Sequence, residues 1–394
     1  DPRPSTLDPR PSTLDPRPST LDPRPVTPQI EIQLICATVA AACALVGGFL
    51  VLRRASMLSD AISHAILPGI VVAFFLTESL SSPLLLVAAA ATGVLTVALI
   101  EALGRTRLVK QDAAIGLVFP ALFSVGVLLI ARFADDVHLD TDAVLLGDPA
   151  FSWIERFTVG GVDLGPMALW LMALVLALNL AFVGVFYKEL KLSTFDPALA
   201  AVLGFAPGLL NYALMTLVSV TAVGAFDVVG SILVVALMVG PPAAAWLLTD
   251  RLPVLLSLAV VLGIASALSG YWLARVLDAS IAGAMATMVG VVFALVYVFA
   301  PDRGLVAQRR RQGRQRAEFA QRMLAIHLLH HEGLPEADRE CRVGHLREHL
   351  RWDPRRAERI VARAQREDLI RRRDDDLLAL TDAGRRYAQT AMVR

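Results

Sequence analysis

Lysine is almost absent from this 394-residue chain. It occurs at Lys110, Lys188 and Lys191, and none of the three follows a glycine. A phosphate-cradling loop needs Gly-Lys-Ser/Thr, so no such ATPase motif is present. Charge of either sign is scarce, at 19% of residues, where a soluble domain carries about 25%. The three cysteines, Cys36, Cys43 and Cys341, suggest no disulfide framework. Cys36 and Cys43 share a face of the first apolar run, where a small thiol packs well. Nucleophile-elbow, HExxH and dinucleotide-binding signatures are missing too, so no enzyme active site is expected. The short alternating segments of an outer-membrane barrel are also missing.

What the chain does have is length after length of apolar residues. It is 56% hydrophobic with a mean hydropathy of +0.59. Runs long enough to cross a bilayer fall near 30–52, 57–77, 83–104, 113–133, 167–187, 206–225, 228–249, 253–277 and 281–300. In lipid the backbone must satisfy its own hydrogen bonds, so such runs are helices. The expected fold is an all-α polytopic membrane protein of about nine spans. Eight spans and a re-entrant piece is the alternative, because 206–225 and 228–249 are joined so tightly.

The net charge of +1 hides a division. Up to Asp302 there are 15 Lys+Arg against 22 Asp+Glu, and from Arg303 onward 22 Arg against 14 acids. Residues 303–316 read as a basic linker and 317–394 as a small water-exposed domain. Arg53, Arg54, Arg105, Arg107, Lys110, Lys188, Lys191, Arg251 and the segment from Arg303 fall on one side of the membrane. The positive-inside rule makes that side cytoplasmic and leaves the N-terminus outside. The outer side carries an acidic loop, 135–163. Residues 1–28 hold three copies of DPRPSTL and read as a disordered, partly extended tail.

The most informative stretch is LRRASMLSDAISHAILPGI, 52–70. Asp60 and His64 are four apart, so on a helix they share a face. An ionisable pair in a membrane segment is a functional candidate by default. A carboxylate and an imidazole form half a ligand set for a first-row divalent metal. Two copies meeting on a two-fold axis would complete it. Pro68 and Gly69 follow, freeing a backbone carbonyl and allowing close helix approach. The competing reading is a hydrogen-bonded pair that pins two helices.

Two further charges lie within spans. Glu101 either pairs with Arg105 or lines a metal exit. Asp227 either marks a metal entrance or caps a helix, with Gly230 and Gly240-Pro241-Pro242 ending the helix that follows. Asp112 is expected to cap the span after it. In 188–205, Ser193 or Asp196 can cap a short helix with Pro197 in its first turn and Gly204 at its end.

Four segments carry a resemblance. RRASMLSDAISHAILPG (53–69), KQDAAIGLVFPALFSVGVLLI (110–130), YKELKLSTFDPALAAVLG (187–204) and VVGSILVVALMVGPPAAAWLLT (228–249) resemble the permease subunit of the manganese/zinc/iron ABC importer family. The resemblance covers about 30–302. It implies a type II importer-like permease in a bacterial plasma (inner) membrane, working as a homodimer or a pseudo-symmetric heterodimer. It also implies cytoplasmic ABC ATPase subunits and an extracellular metal-binding protein as partners, and no permanently bound cofactor. Asp60 and His64 are then the expected ligands of the transported ion, Mn²⁺ first, with Zn²⁺ or Fe²⁺ as alternatives. The 187–204 segment corresponds to the ATPase-docking helix, through Lys188, Glu189, Leu190, Phe195, Asp196, Pro197, Ala201 and Gly204. The double proline at 241–242 departs from the commoner single one.

Beyond the last span, helices are expected at 317–333, 343–351 and 354–369, the last capped by Asp353. A wing and a closing helix come after them. LTDAGRRYA (380–388) resembles the winged-helix part of iron-dependent repressors, which favours manganese or iron over zinc. Arg355, Arg356, Arg359, Arg363 and Arg366 line one face of the third helix, a plausible phosphate-contacting surface. Glu358, Glu367 and Asp374–Asp376 dilute it, so dimerisation or ATPase regulation is preferred to DNA binding. His327, His330, His331, His345, His349 and Cys341 form a further set of metal-capable side chains. The alternative for the whole chain is a membrane-tethered, metal-responsive DNA-binding regulator.

Overall fold

The computed structural model describes residues 28–77, 83–106, 108–133, 148–159, 162–346, 350, 352–373 and 375–393. The DPRPSTL repeats, most of the acidic loop and part of the expected 343–351 helix lie outside them. Among the described residues nine helical segments are long and apolar enough to span a membrane. The chain divides into two compact units, one of residues 1–243 and 251–291, the other of 244–250 and 292–394.

The first unit is built round α1 (Pro28–Leu52), a helix apolar on every side and buried from Ile32 to Leu50 on most of them. Such a helix belongs inside a bundle. It packs against α11 (Leu252–Leu277), α6 (Met167–Val185) and α9 (Pro207–Val229). Lipid tails are as apolar as leucine, so this packing rests on close contact and internal polar bonds. Both are present. Gly48 meets Leu256, and buried Asn179 of α6 donates to the Ala42 carbonyl (3.3 Å) and to Thr221 Oγ1 of α9 (3.0 Å).

A second group surrounds the 52–70 stretch. The expected span 57–77 is two helices, α2 (Met57–Ala65) and α3 (Leu67–Thr77), meeting at Ile66. α4 (Pro83–Arg105) and α5 (Gln111–Phe133) pack on both, and α9 packs on α2 and α4. Gly126 of α5 lets that helix approach the α2–α3 joint: a Cβ there would sit 2.9 Å from the Pro68 nitrogen.

Several expectations are corrected. Asp112 does not cap α5 but lies inside its first turn, where a carboxylate still suits the helix dipole. Asp227 caps no helix N-terminus; it sits in the last turn of α9, which Gly230 closes at φ +79°. Pro241 and Pro242 do not end the next helix, and α10 runs through them from Ser231 to Leu248. Neighbouring helices inside a membrane bundle make such prolines tolerable. The acidic loop contains an unexpected hairpin, β1 (Arg156–Val159) against β2 (Val162–Pro166). Arg156 fastens it, reaching Glu31 at 2.8 Å and Asp163 at 2.6 Å. Glu31 is buried in the first turn of α1, and a buried carboxylate needs such a partner.

After α6 the chain bends at Phe186 into α7 (Tyr187–Phe195), then into α8 (Pro197–Val202). Asp196 caps α8 as expected, its Oδ1 accepting from the Leu199 amide at 2.9 Å. Gly204, at φ +88°, closes it. The Phe205 amide then bonds the Ala200 carbonyl at 3.0 Å, a Schellman-type end.

The second unit takes in the later part of α12 (Ile281–Phe299) and all the described chain after it. The expected linker 303–316 is not a separate piece: α13 runs unbroken from Leu305 to His331. Its Arg, Gln and Ala residues are good helix formers. A short turn, α14 (Ala337–Glu340), leads to α15 (Pro354–Arg366), three residues shorter than expected. Asp353 stands at its N-cap position without a side-chain bond. Then come β3 (Ile370–Arg372) paired antiparallel with β4 (Leu378–Leu380), and α16 (Asp382–Val393). Thr381 caps α16 by accepting from the Gly384 amide at 2.9 Å. The core is Leu324, Leu328, Leu346, Ile360, Val361, Ile370, Leu378 and Ala388 with their neighbours. α15 shows why: Ala357, Ile360, Val361 and Ala364 recur at helical spacing and are buried, with arginines on the other face.

Candidate metal centre

Asp60 and His64 lie on the one face of α2 that the fold leaves open. Leu58, Ser59, Ala61, Ile62, Ser63 and Ala65 are buried. The side chains of Asp60 and His64 remain 50% and 36% exposed. Asp60 Oδ1 is 3.6 Å from His64 Nε2, too far for a direct hydrogen bond. A pair that pinned two helices would be buried and bonded, so the geometry goes against that reading. Ser59 and Ser63 hydroxyls donate back to the carbonyls of Ser56 and Ser59, both at 2.9 Å, and so compete for no ligand. Phe119 and Phe123 of α5 flank the imidazole, each with its ring centre 6.2 Å away.

The helix break below the pair leaves the His64 carbonyl without its usual helical donor. The carbonyl of His64 would bond the amide of residue 68 in a continuous helix, and Pro68 has none. The chain resumes through Gly69 and Ile70 amides on the Ile66 carbonyl, at 3.0 and 3.2 Å. One copy offers a carboxylate and an imidazole on one open face. That set suits a divalent first-row cation.

The other expected site residues are elsewhere. Glu101 accepts from Arg105 at 3.0 Å, the pairing alternative, and Arg105 also covers the Tyr212 ring at 5.6 Å. Asp227 is exposed in the last turn of α9. On α7 and α8, Phe195, Leu199, Val202 and Leu203 are exposed apolar side chains. Lys188, Asp196, Pro197, Ala201 and Gly204 are exposed beside them. Leu190, expected on the docking surface, is fully buried and anchors α7 instead. Arg53 escaped the sequence reading except as a loop charge. It donates to Asn211 Oδ1 (2.7 Å), Thr194 Oγ1 (3.1 Å) and Ser193 Oγ (3.1 Å). The end of α7 is thereby tied to the turn that begins α2.

In the second unit Arg355 and Arg359 line a shallow groove with Pro354 and Glu358. Arg363 pairs with Glu367 at 2.9 Å, which holds that carboxyl below its usual range. Arg356 leans over Trp352, and Arg366 donates to the Ala362 carbonyl. The basic face is thus partly spent on internal contacts.

Residues 30–300 match the ABC 3 transport family. The chain belongs to that family. Among ABC 3 relatives, the zinc transport system membrane protein TroD of Treponema pallidum is 48% identical over 363 residues, 92% of this chain and 98% of that protein. That alignment extends well beyond residue 300, so TroD shares much of the segment after the last span. The manganese transport system membrane protein MntD of Bacillus subtilis is 47% identical over 273 residues, 69% of this chain and 92% of that one. Among solved structures, PsaBC from Streptococcus pneumoniae in complex with Fab matches with a TM-score of 0.58 and 24% identity. It covers 70% of this chain and 92% of that one, a likeness of fold.

Proposed function

We propose that this chain is the permease subunit of an ATP-driven divalent metal importer, and that Asp60 and His64 hold the ion in passage. The open Asp60–His64 face of α2 carries this reading. A half-exposed carboxylate inside a membrane-length segment is costly unless something completes its surroundings. A second permease copy, bringing its own Asp60 and His64 to a shared axis, would do so and supply a four-ligand shell.

The family match and the permease-like fold support the wider assignment. TroD and MntD are named for zinc and manganese transport, and an Asp/His donor set accepts either. Those names weigh against a membrane-tethered DNA-binding regulator. ATP is hydrolysed by partner subunits that dock on the exposed apolar residues of α7 and α8. An external binding protein delivers the ion on the opposite side. The basic loops support a cytoplasmic position for α7, α8 and the second unit, with the N-terminus outside. The order helix, turn, helix, hairpin, helix in the second unit supports the winged-helix reading, and the internally paired arginines favour regulation of the transporter over DNA binding.

The test is uptake into proteoliposomes holding this chain, its ATPase and its binding protein. Asp60→Ala and His64→Ala each abolish ATP-dependent uptake, while the folded protein still binds its ATPase. Mn²⁺, Zn²⁺ and Fe²⁺ in competition identify the ion. Uptake that survives both substitutions removes the pair from the pathway.

A further inference from the structure

A second set of metal-capable groups sits in the soluble unit, far along the sequence from Asp60. His327 and His331 are one turn apart at the end of α13, their ring centres 4.7 Å from each other. Glu340, at the end of α14, turns back toward them. One donor atom from each of His327, His331 and Glu340 lies within 4.8 Å of the other two. A tetrahedral zinc shell needs donors roughly 3.4 Å apart, for bonds of about 2.05 Å. Small side-chain rotations close that difference.

The surroundings orient these groups as they would around an ion. His327 Nε2 lies 3.1 Å from the Glu340 carbonyl. A carbonyl only accepts, so Nε2 carries the proton and the lone pair of a neutral ring is on Nδ1. Metal-bound histidines are commonly held this way, with the second ring nitrogen donating to a backbone oxygen. His345 Nε2 is 2.9 Å from Glu340 Oε2, close enough to pair with the carboxylate.

We propose that His327, His331 and Glu340 bind a divalent first-row cation, Zn²⁺ best, with His345 as the positioning residue for Glu340. Two imidazoles and one carboxylate are a zinc-type set that leaves a fourth position for water. The site is separate from the membrane pair and does not depend on it. It ties α13 to α14, so occupancy stiffens the start of the second unit.

The experiment uses the full chain in detergent, with Asp60→Ala and His64→Ala removing the membrane pair. The stripped protein is titrated with Zn²⁺ against a chromophoric chelator, then with Co²⁺ followed by visible absorption. Stoichiometric Zn²⁺ binding and the intense bands of tetrahedral Co²⁺ are expected. His327→Ala or His331→Ala abolishes both, His345→Ala weakens binding by about 10–100-fold, and His330→Ala, an exposed neighbour, changes nothing. Absence of stoichiometric binding in the parent protein overturns the proposal. So does binding that persists unchanged in folded His327→Ala/His331→Ala, folding being checked by circular dichroism.

Discussion

Arg53 donates to Asn211 across 158 residues of sequence, at 2.7 Å. The same guanidinium holds Ser193 and Thr194. It therefore joins three places: the turn before α2, the end of α7 and the start of α9. Arg53 thus links α7 to the turn that precedes the Asp60 helix. Arg53→Ala is expected to reduce metal uptake at least tenfold while ATP hydrolysis by the docked partner continues. Each charge-assisted hydrogen bond lost is worth about 1.5–3 kcal/mol, ample for such a change. Arg53→Lys, without the planar fork, recovers only part. Uptake and hydrolysis measured in the same vesicles test this, and a parallel loss of both would refute the coupling role.

Asn179 is a stability prediction. Its amide bonds α6 to α1 and α9 in a wholly buried setting. Asn179→Leu should cost about 0.6–1.7 kcal/mol, the range for polar contacts between membrane helices. A lowered thermal midpoint in detergent is the readout. Thr221→Val should cost less when made on top of Asn179→Leu than when made alone, because the two residues share one bond.

Asp196 caps a six-residue helix that has little else to hold it. Asp196→Ala removes about 1 kcal/mol and frays α8. Co-purification of the ATPase with the permease should fall, and Asp196→Asn, still able to cap, should restore it. Equal co-purification of all three forms would mean that the cap is irrelevant to docking.

Cys341 provides a pH signature. Its thiol is raised above the ordinary value of 9.0, first by burial and then by Glu340, Glu332 and Asp338. The native state thus keeps a proton that the unfolded chain gives up. Stability from this source is fully present below the ordinary thiol value and declines as pH climbs above it. Native Cys341 should react with iodoacetamide more slowly than a model thiol at pH 8, with its pH–rate midpoint displaced upward. Mass spectrometry of the intact protein reads this out. A midpoint at or below the ordinary value would contradict the buried placement.

The spans were legible because each is about twenty apolar residues in a row, a constraint that lipid imposes on any sequence. Asp60 and His64 were legible for the converse reason, as charges where charge is costly. The Asp196-Pro197 start of α8 was legible from cap chemistry alone. The hairpin at Arg156 was not, since its anchor, Glu31, is 125 residues away and nothing local announces the pair. Pro241 and Pro242 misled because their effect depends on neighbouring helices rather than on proline itself. Leu190 belongs to the docking segment by sequence but is buried, as the bend at Phe186 sets which side of α7 faces inward. The charge of 303–316 suggests a linker, but its helix propensity decides its structure.

The open face of α2 also has a genetic consequence. If the shell round the ion is completed by an identical chain, one base change alters both halves of the site at once. A cell making normal and Asp60-substituted copies in equal amounts would then assemble about half its pairs as mixed and only about a quarter as wholly normal. The defective allele would be dominant, cutting transport to well under half.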